Sequence, residues 1–140
     1  MPRLWEKLNL GEHGEVLVLN APRSFAAELK ALQGVRVQQR DTAVKEVAFA
    51  LVFVLNQAEL DRWSAAVAAK AAGDALLWFA YPKGSSKRYT CDINRDKGWH
   101  VLRAAGFDCV RQVAIDEDWS ALRFRRTEFI NHRSRAPIRS

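Results

Sequence analysis

The stretch Leu76-Leu-Trp-Phe-Ala-Tyr-Pro82, followed by Lys83-Gly-Ser-Ser-Lys-Arg-Tyr-Thr90, decides how this chain is read. A continuous apolar and aromatic run of strand length, stopped by a proline, fits a strand covered on both faces, as in a parallel sheet flanked by helices. The strand ends in a basic, hydroxyl-rich loop. In an open α/β sheet, ligands bind in the crevice beyond the carboxyl ends of the strands. Lys83 to Asn94 is therefore the first place to look for a site.

Outward from this stretch, Val47 to Leu55 is the most apolar segment and reads as the central strand. Glu15 to Asn20 is a second strand of the same kind, and Val35 to Gln38 a short alternating one at the periphery. Leu4, Trp5 and Leu8 recur at helical spacing before Gly11. Pro22 suits the start of a helix that presents Phe25, Leu29 and Leu32 and stops near Gly34. Asn56-Gln-Ala-Glu59 has the form of a capping box, opening a helix with Leu60, Trp63 and Val67 on one stripe that runs to about Ala72. Gly73-Asp74 then returns the chain to the opening strand. On the other side, Asn94 is the expected N-cap of a helix carrying Trp99, Val101 and Leu102, closed by Gly106. Phe107 to Ile115 and Ala121 to Arg126 alternate and form a hairpin-like return through Asp116-Glu-Asp-Trp-Ser120.

This order predicts an α/β fold: a three-layer, Rossmann-like, mostly parallel sheet of about six strands, the last antiparallel. Right-handed crossovers put the first strand in the middle, the second on one side, and the third and fourth on the other. Residues 1–126 are expected to form one domain, with a short helix within 1–10, and 127–140 a basic, poorly ordered tail. Only residues 39–46 join the second and third strands, too few for a crossover helix. One face is thereby left short of cover, to be filled by the N-terminal helix, by Phe129 and Ile130, or by a second subunit.

The chain has 140 residues, 49% hydrophobic and 27% charged, within the range of an ordinary globular domain. No apolar run approaches the ~20 residues of a membrane helix, and the N-terminus lacks a signal core. Cys91 and Cys109 stand apart, as reduced thiols of a cytoplasmic protein do. The net charge of +6 suggests nucleic acid, but it is unevenly placed: from Arg123 onward six arginines face one acid, Glu128, leaving +1 for residues 1–122. A nucleic-acid reading therefore rests on the Arg-rich C-terminus.

The element order is similar to a reduced form of the class I S-adenosylmethionine-dependent methyltransferase fold. Together with Tyr81-Pro-Lys-Gly-Ser-Ser86, Asn94-Arg-Asp96 and the closing Val113-Ala-Ile-Asp-Glu-Asp-Trp-Ser-Ala-Leu-Arg-Phe124, the chain also resembles a family of short bacterial proteins of unknown function taken to be Rossmann-like. The methyltransferase resemblance implies a glycine-rich turn after the first strand, an acid after the second to hold ribose hydroxyls, and an Asp/Asn-Pro-Pro-Tyr-type segment later. This chain has Asn20-Ala-Pro-Arg23 at the first place, Asp41 as a loose candidate at the second, and Asn56-Gln-Ala-Glu59 at the third. S-adenosylmethionine is thus a cofactor the fold would admit and the missing glycines argue against.

Lys83, Ser85, Ser86, Lys87 and Asn94 form the candidate anion site, joined by Arg88, with Gly84 allowing close backbone approach. The spacing is not that of a Walker loop. Asp116, Glu117 and Asp118 read as a solvated turn, Ser120 lacks a base, and Trp119 reads as an exposed ring that lids a pocket or faces a partner. His13, His100 and His132 have no metal-ligand spacing. No catalytic set and no metal site is expected. The expected function is a non-catalytic domain binding a small anionic, nucleotide-like ligand or a protein partner, including a second copy, at the carboxyl edge of the sheet. A divergent methyltransferase and a nucleic-acid binder are the alternatives; no membrane association is expected.

Overall fold

The computed structural model describes residues 3–130. At its centre β3 (Val47–Phe53) lies parallel to β1 (Glu15–Leu19) on one side and to β4 (Ala71–Pro82) on the other. β2 (Arg36–Gln38) flanks β1 in parallel, and β6 (Trp119–Arg126) runs antiparallel between β4 and β5 (Phe107–Ala114). The order β2-β1-β3-β4-β6-β5 is the topology the sequence predicts, with the antiparallel strand inserted beside β4.

Side chains alternate between the faces of a strand, and two cores result. On one face Leu17, Leu19, Val52, Leu77 and Phe79 meet Leu60 and Val67 of α3 (Gln57–Ala68), Leu102 of α4 (His100–Ala104), and Trp99. On the other, Val16, Val18, Phe49, Leu51 and Trp78 meet Leu4 and Trp5 of α1 (Arg3–Lys7), Leu8 and Leu10 after it, and Phe25 just before α2 (Ala26–Lys30). Two indoles tie this layer down: Trp78 donates to the Leu8 carbonyl at 2.9 Å, and Trp5 to that of Glu28 at 3.0 Å.

The short link between β2 and β3 is closed differently from expectation. Residues 39–46 hold one 3-10 turn, Asp41–Ala43, and Val44 packs against the α3-side core. Lys70, just before β4, donates its ammonium to the carbonyls of Asp41 and Val44. The link therefore covers its own face, while α1 lies on the opposite one. Phe129 sits beneath the Arg125 guanidinium, 6.0 Å from its ring centre.

Three local expectations need correction. α3 ends at Ala68 and β4 begins at Ala71, so Gly73-Asp74 lies within the strand. The register jumps there, from Val47 opposite Ala71 to Phe49 opposite Leu76, and Gly73 takes φ +55°, a left-handed turn that suits glycine. Asn94 caps no helix: its side chain accepts from the Asp96 N–H at 2.9 Å, a local turn, and α4 starts only at His100. The alternation of β5 breaks at a bulge between Cys109 and Arg111. Of the expected tail, residues 127–130 are helical, with the Thr127 N–H donating to Gly106 at 2.9 Å; residues 131–140, including His132, lie outside the described residues.

Candidate functional site

The carboxyl end of β4 opens into a cleft of about 710 Å³. Tyr81 and Pro82 form its strand side, Lys83, Gly84 and Ser85 one rim, and Asn94, Arg95 and Lys97 the other, with Gln112 and Ser120 from the β5–β6 return. Of the predicted anion-site residues, Lys83, Ser85 and Asn94 line this cleft, while Ser86 and Lys87 are outside the lining. Arg95 and Lys97 were missed, because Asn94-Arg-Asp-Lys97 was read as the first turn of a helix. The Asn-x-Asp-x-Gly pattern ending at Gly98 reads equally well as a turn.

Ser86 is used by the loop itself. Its hydroxyl donates to Asp118 Oδ1 at 2.8 Å and accepts from the backbone N–H groups of Arg88 and Tyr89 at 3.1 Å. Arg88 lies 3.6 Å from the other Asp118 oxygen, and the Lys83 N–H donates to the Asp118 carbonyl at 2.8 Å. Asp116 accepts from the N–H groups of Asp118 and Trp119 at 2.8 and 2.9 Å. The acidic turn is therefore a clamp on the basic loop. Asp118 is the acid turned to the loop and is half-buried, while Asp116 and Glu117 stay exposed, as expected of a solvated turn.

The loop is fastened again at its far end. Asp92 accepts from the Gln57 N–H at 3.0 Å, at the start of α3, and the Gln57 amide donates to Gly98 at 2.8 Å. Gly98 has φ +110°, and a Cβ there would stand 2.6 Å from Gln57 Oε1. Glycine is favoured there by conformation, and a side chain would in addition have to displace the end of Gln57.

At the cleft floor, Gln112 donates to the Ser120 hydroxyl at 3.1 Å. Burial pushes the Tyr81 hydroxyl above the ordinary tyrosine range, against a hydrogen bond from Ser120 that lowers it. Burial likewise raises the thiols of Cys91 and Cys109, keeping them protonated. His100 lies 3.6 Å from Asp61, and no group of three or more His, Cys, Asp or Glu among the described residues is arranged to hold a metal.

A second cavity, of about 420 Å³, sits where the sheet changes direction, between the ends of β1 and β3. Asn20, Pro22 and Arg23 come from the turn after β1, and Phe53 and Leu55 from the end of β3. Glu59, Arg62 and Trp63 come from α3, and Tyr89 and Trp119 close the wall. Asn20 holds φ +60°, a left-handed position that asparagine tolerates better than most residues. Its amide donates across the crevice to the Phe53 carbonyl at 3.4 Å. Asn56 caps α3 by accepting from Glu59 N–H at 2.9 Å, and Glu59 reaches back to the Leu55 N–H at 2.7 Å. The capping box is real, displaced by one residue on the return bond.

Trp119 is not exposed. It is 3% accessible, with Phe53 and Tyr89 rings each 5.1 Å from its own. Its indole N–H is buried and has no acceptor among the described residues. The aromatic character of this cavity was hidden in sequence, since Phe53, Trp63, Tyr89 and Trp119 are distant in the chain.

No protein-family model and no curated protein matches the chain. Solved structures do match. A SAM-dependent methyltransferase from Aquifex aeolicus aligns over 88% of this chain and 87% of its own, with TM-score 0.61 and 12% identity. N-methyltransferase NodS from Bradyrhizobium japonicum WM9 aligns over 88% and 91%, with TM-score 0.54 and 13% identity. The fold is a methyltransferase-like Rossmann fold. A possible exported protein from Bordetella parapertussis shares it over 89% of this chain and 65% of its own, with TM-score 0.57 and 12% identity. At such identities the likeness is one of fold. No helix among the described residues is long and apolar enough to cross a membrane.

Proposed function

We propose that the protein binds a small anionic, nucleotide-like ligand at the carboxyl edge of its sheet, in the cleft beyond β4, and does so without catalysis. The observation that carries this reading is the charge balance of the lining. Lys83, Arg95 and Lys97 face one carboxylate, Asp92, which already accepts from Gln57 N–H. Ser85, Asn94 and Gln112 add neutral donors. Phosphate and carboxylate groups are the ligands such a donor set recognises.

Thermal-shift and calorimetric titration with nucleotides, pyrophosphate and inorganic phosphate tests it. Binding is expected, weakened at least about ten-fold by Lys83→Ala/Lys97→Ala, the loss of one or two charged hydrogen bonds. The double variant should melt close to the wild type, because neither side chain is buried and surface substitutions away from special features usually stay within about 0.5 kcal/mol. An unaltered affinity in that variant would end the reading.

A methyltransferase is the second reading, favoured by the fold and by the cavity between β1 and β3, the place where such sheets take ligands. The residues present do not fit the usual S-adenosyl mode. Asn20 stands where the family has glycine and spends its amide on Phe53. Asp41 belongs to the turn held by Lys70, whose carbonyl bonds Val47 N–H at the amino ends of β3 and β4, away from the cavity. Calorimetry with S-adenosylmethionine and S-adenosylhomocysteine decides: saturable heat would promote this reading, and none at millimolar ligand would remove it.

A further inference from the structure

The bulge in β5 has a chemical consequence. Before it, Phe107 and Cys109 pack with the α3-side core; after it, Val113 packs with the α1-side core. The extra residue, Val110, flips the alternation. Arg111 is thereby carried to the α1 side and set directly opposite Arg123 of β6, with Arg125 two residues along on the same face. Like charges directly opposite in an antiparallel pair destabilise a sheet.

The surrounding acids do not resolve this. Asp74 holds Arg125 through two bonds of 2.7 and 2.8 Å, and Asp108, opposite Arg125, lies 3.6 Å from Arg103. Arg111 finds a neutral partner, donating to Asn9 Oδ1 at 3.2 Å. Arg123 is half-buried, and its Nε–H has no acceptor among the described residues. Burial first, then Arg125 and Arg111, pull its basicity down, with Asp74 acting in the opposite sense. A buried guanidinium donor left unpaired beside like charges is costly, and an anion there would relieve both terms.

We propose that Arg111, held by Asn9, and Arg123, flanked by Arg125, form a binding site for a phosphate-type oxyanion on the α1 side of the β5–β6 ribbon. None of these residues lines either cleft. A free phosphate and a nucleic-acid backbone both carry this group, and the two sources separate in one experiment.

The full-length protein is titrated with pyrophosphate and, separately, with a short single-stranded oligonucleotide, reading the arginine Nε–Hε resonances by heteronuclear NMR. The Arg123 resonance is expected to shift saturably. Arg111→Gln, a change at an exposed position that should not disturb folding, is expected to weaken binding at least about ten-fold. Lys83→Ala/Lys97→Ala should leave the Arg123 shift intact, which separates this site from the β4 cleft. Tighter, steeply salt-dependent binding of the oligonucleotide assigns the phosphate to a nucleic-acid backbone; equal or weaker binding assigns it to a free phosphate. An Arg123 resonance unmoved by both ligands, or an Arg111→Gln variant that binds like wild type, overturns the proposal.

Discussion

The two cavities at the carboxyl edge of the sheet lie side by side and differ in what their polar groups are doing. In the β4 cleft, Lys83, Arg95 and Lys97 line open space, and the single carboxylate is occupied with backbone. In the β1–β3 cavity, Asn20 and Glu59 are spent on the ends of β3, and aromatic rings form the wall. The first has donors in reserve for an anion. The second sets Arg23 and Arg62 beside Glu59 and an aromatic wall, and its Trp119 indole N–H is a buried donor with no acceptor among the described residues. One topological position has thus given two surfaces of different chemistry, and topology alone does not say which one is used.

The largest effect should come from removing the wall. Trp119→Ala deletes a buried indole packed between Phe53 and Tyr89 and is expected to cost about 3–5 kcal/mol, read from denaturant unfolding. A loss below about 1 kcal/mol would mean the cavity collapses without consequence. Next comes Asp118→Ala, which removes the acceptor of the Ser86 hydroxyl and the partner of Arg88. A loss of about 1–3 kcal/mol is expected, with faster amide exchange confined to residues 83–90. If exchange there is unchanged, the acidic turn is not the clamp of the basic loop.

How much of this was legible follows from where the information sits. The strand order was readable because each strand announces itself locally, through continuous apolar runs such as Val47–Phe53 and through short connections that restrict crossovers. The α3 cap was readable because Asn56 and Glu59 are close in sequence. What escaped was pairwise and long-range. Asp118 serves Ser86 from 32 residues away, and Gly98 makes room for a glutamine 41 residues back. The bulge at Val110 could not be seen because Phe107 to Ile115 satisfies an unbroken alternation just as well. Trp119 looked exposed because its sequence neighbours are acids; Tyr89, which covers it, arrives from another loop.

The alkaline limb offers a smaller effect that belongs to the β4 cleft alone. Burial raises the Tyr81 hydroxyl above its value in an unfolded chain, so the folded state favours the protonated phenol. That stabilisation is fully present below the unfolded value near ~10 and is lost as pH rises through the folded one. Tyrosinate absorbance should therefore include a component titrating late, absent in Tyr81→Phe. Stability should fall less steeply above about pH 10 in that variant. Titration of the missing component at or below about 10 would contradict the buried setting of the phenol.

The smallest expected effect is also the most discriminating for the second cavity. Trp119→Phe keeps an aromatic ring against Phe53 and Tyr89 while removing a buried N–H that has no acceptor. Loss of volume opposes folding, and loss of an unpaired donor favours it by about 1–3 kcal/mol, so the net change should stay within about 1 kcal/mol. Trp78→Phe is the matched control. Its indole donates to the buried Leu8 carbonyl at 2.9 Å, so the same substitution strands an acceptor and removes a bond. It should cost about 1–3 kcal/mol more than Trp119→Phe, although both change tryptophan to phenylalanine in the same core. Equal costs would mean that the Trp119 N–H has a partner in solution, and the second cavity would lose its buried unpaired donor.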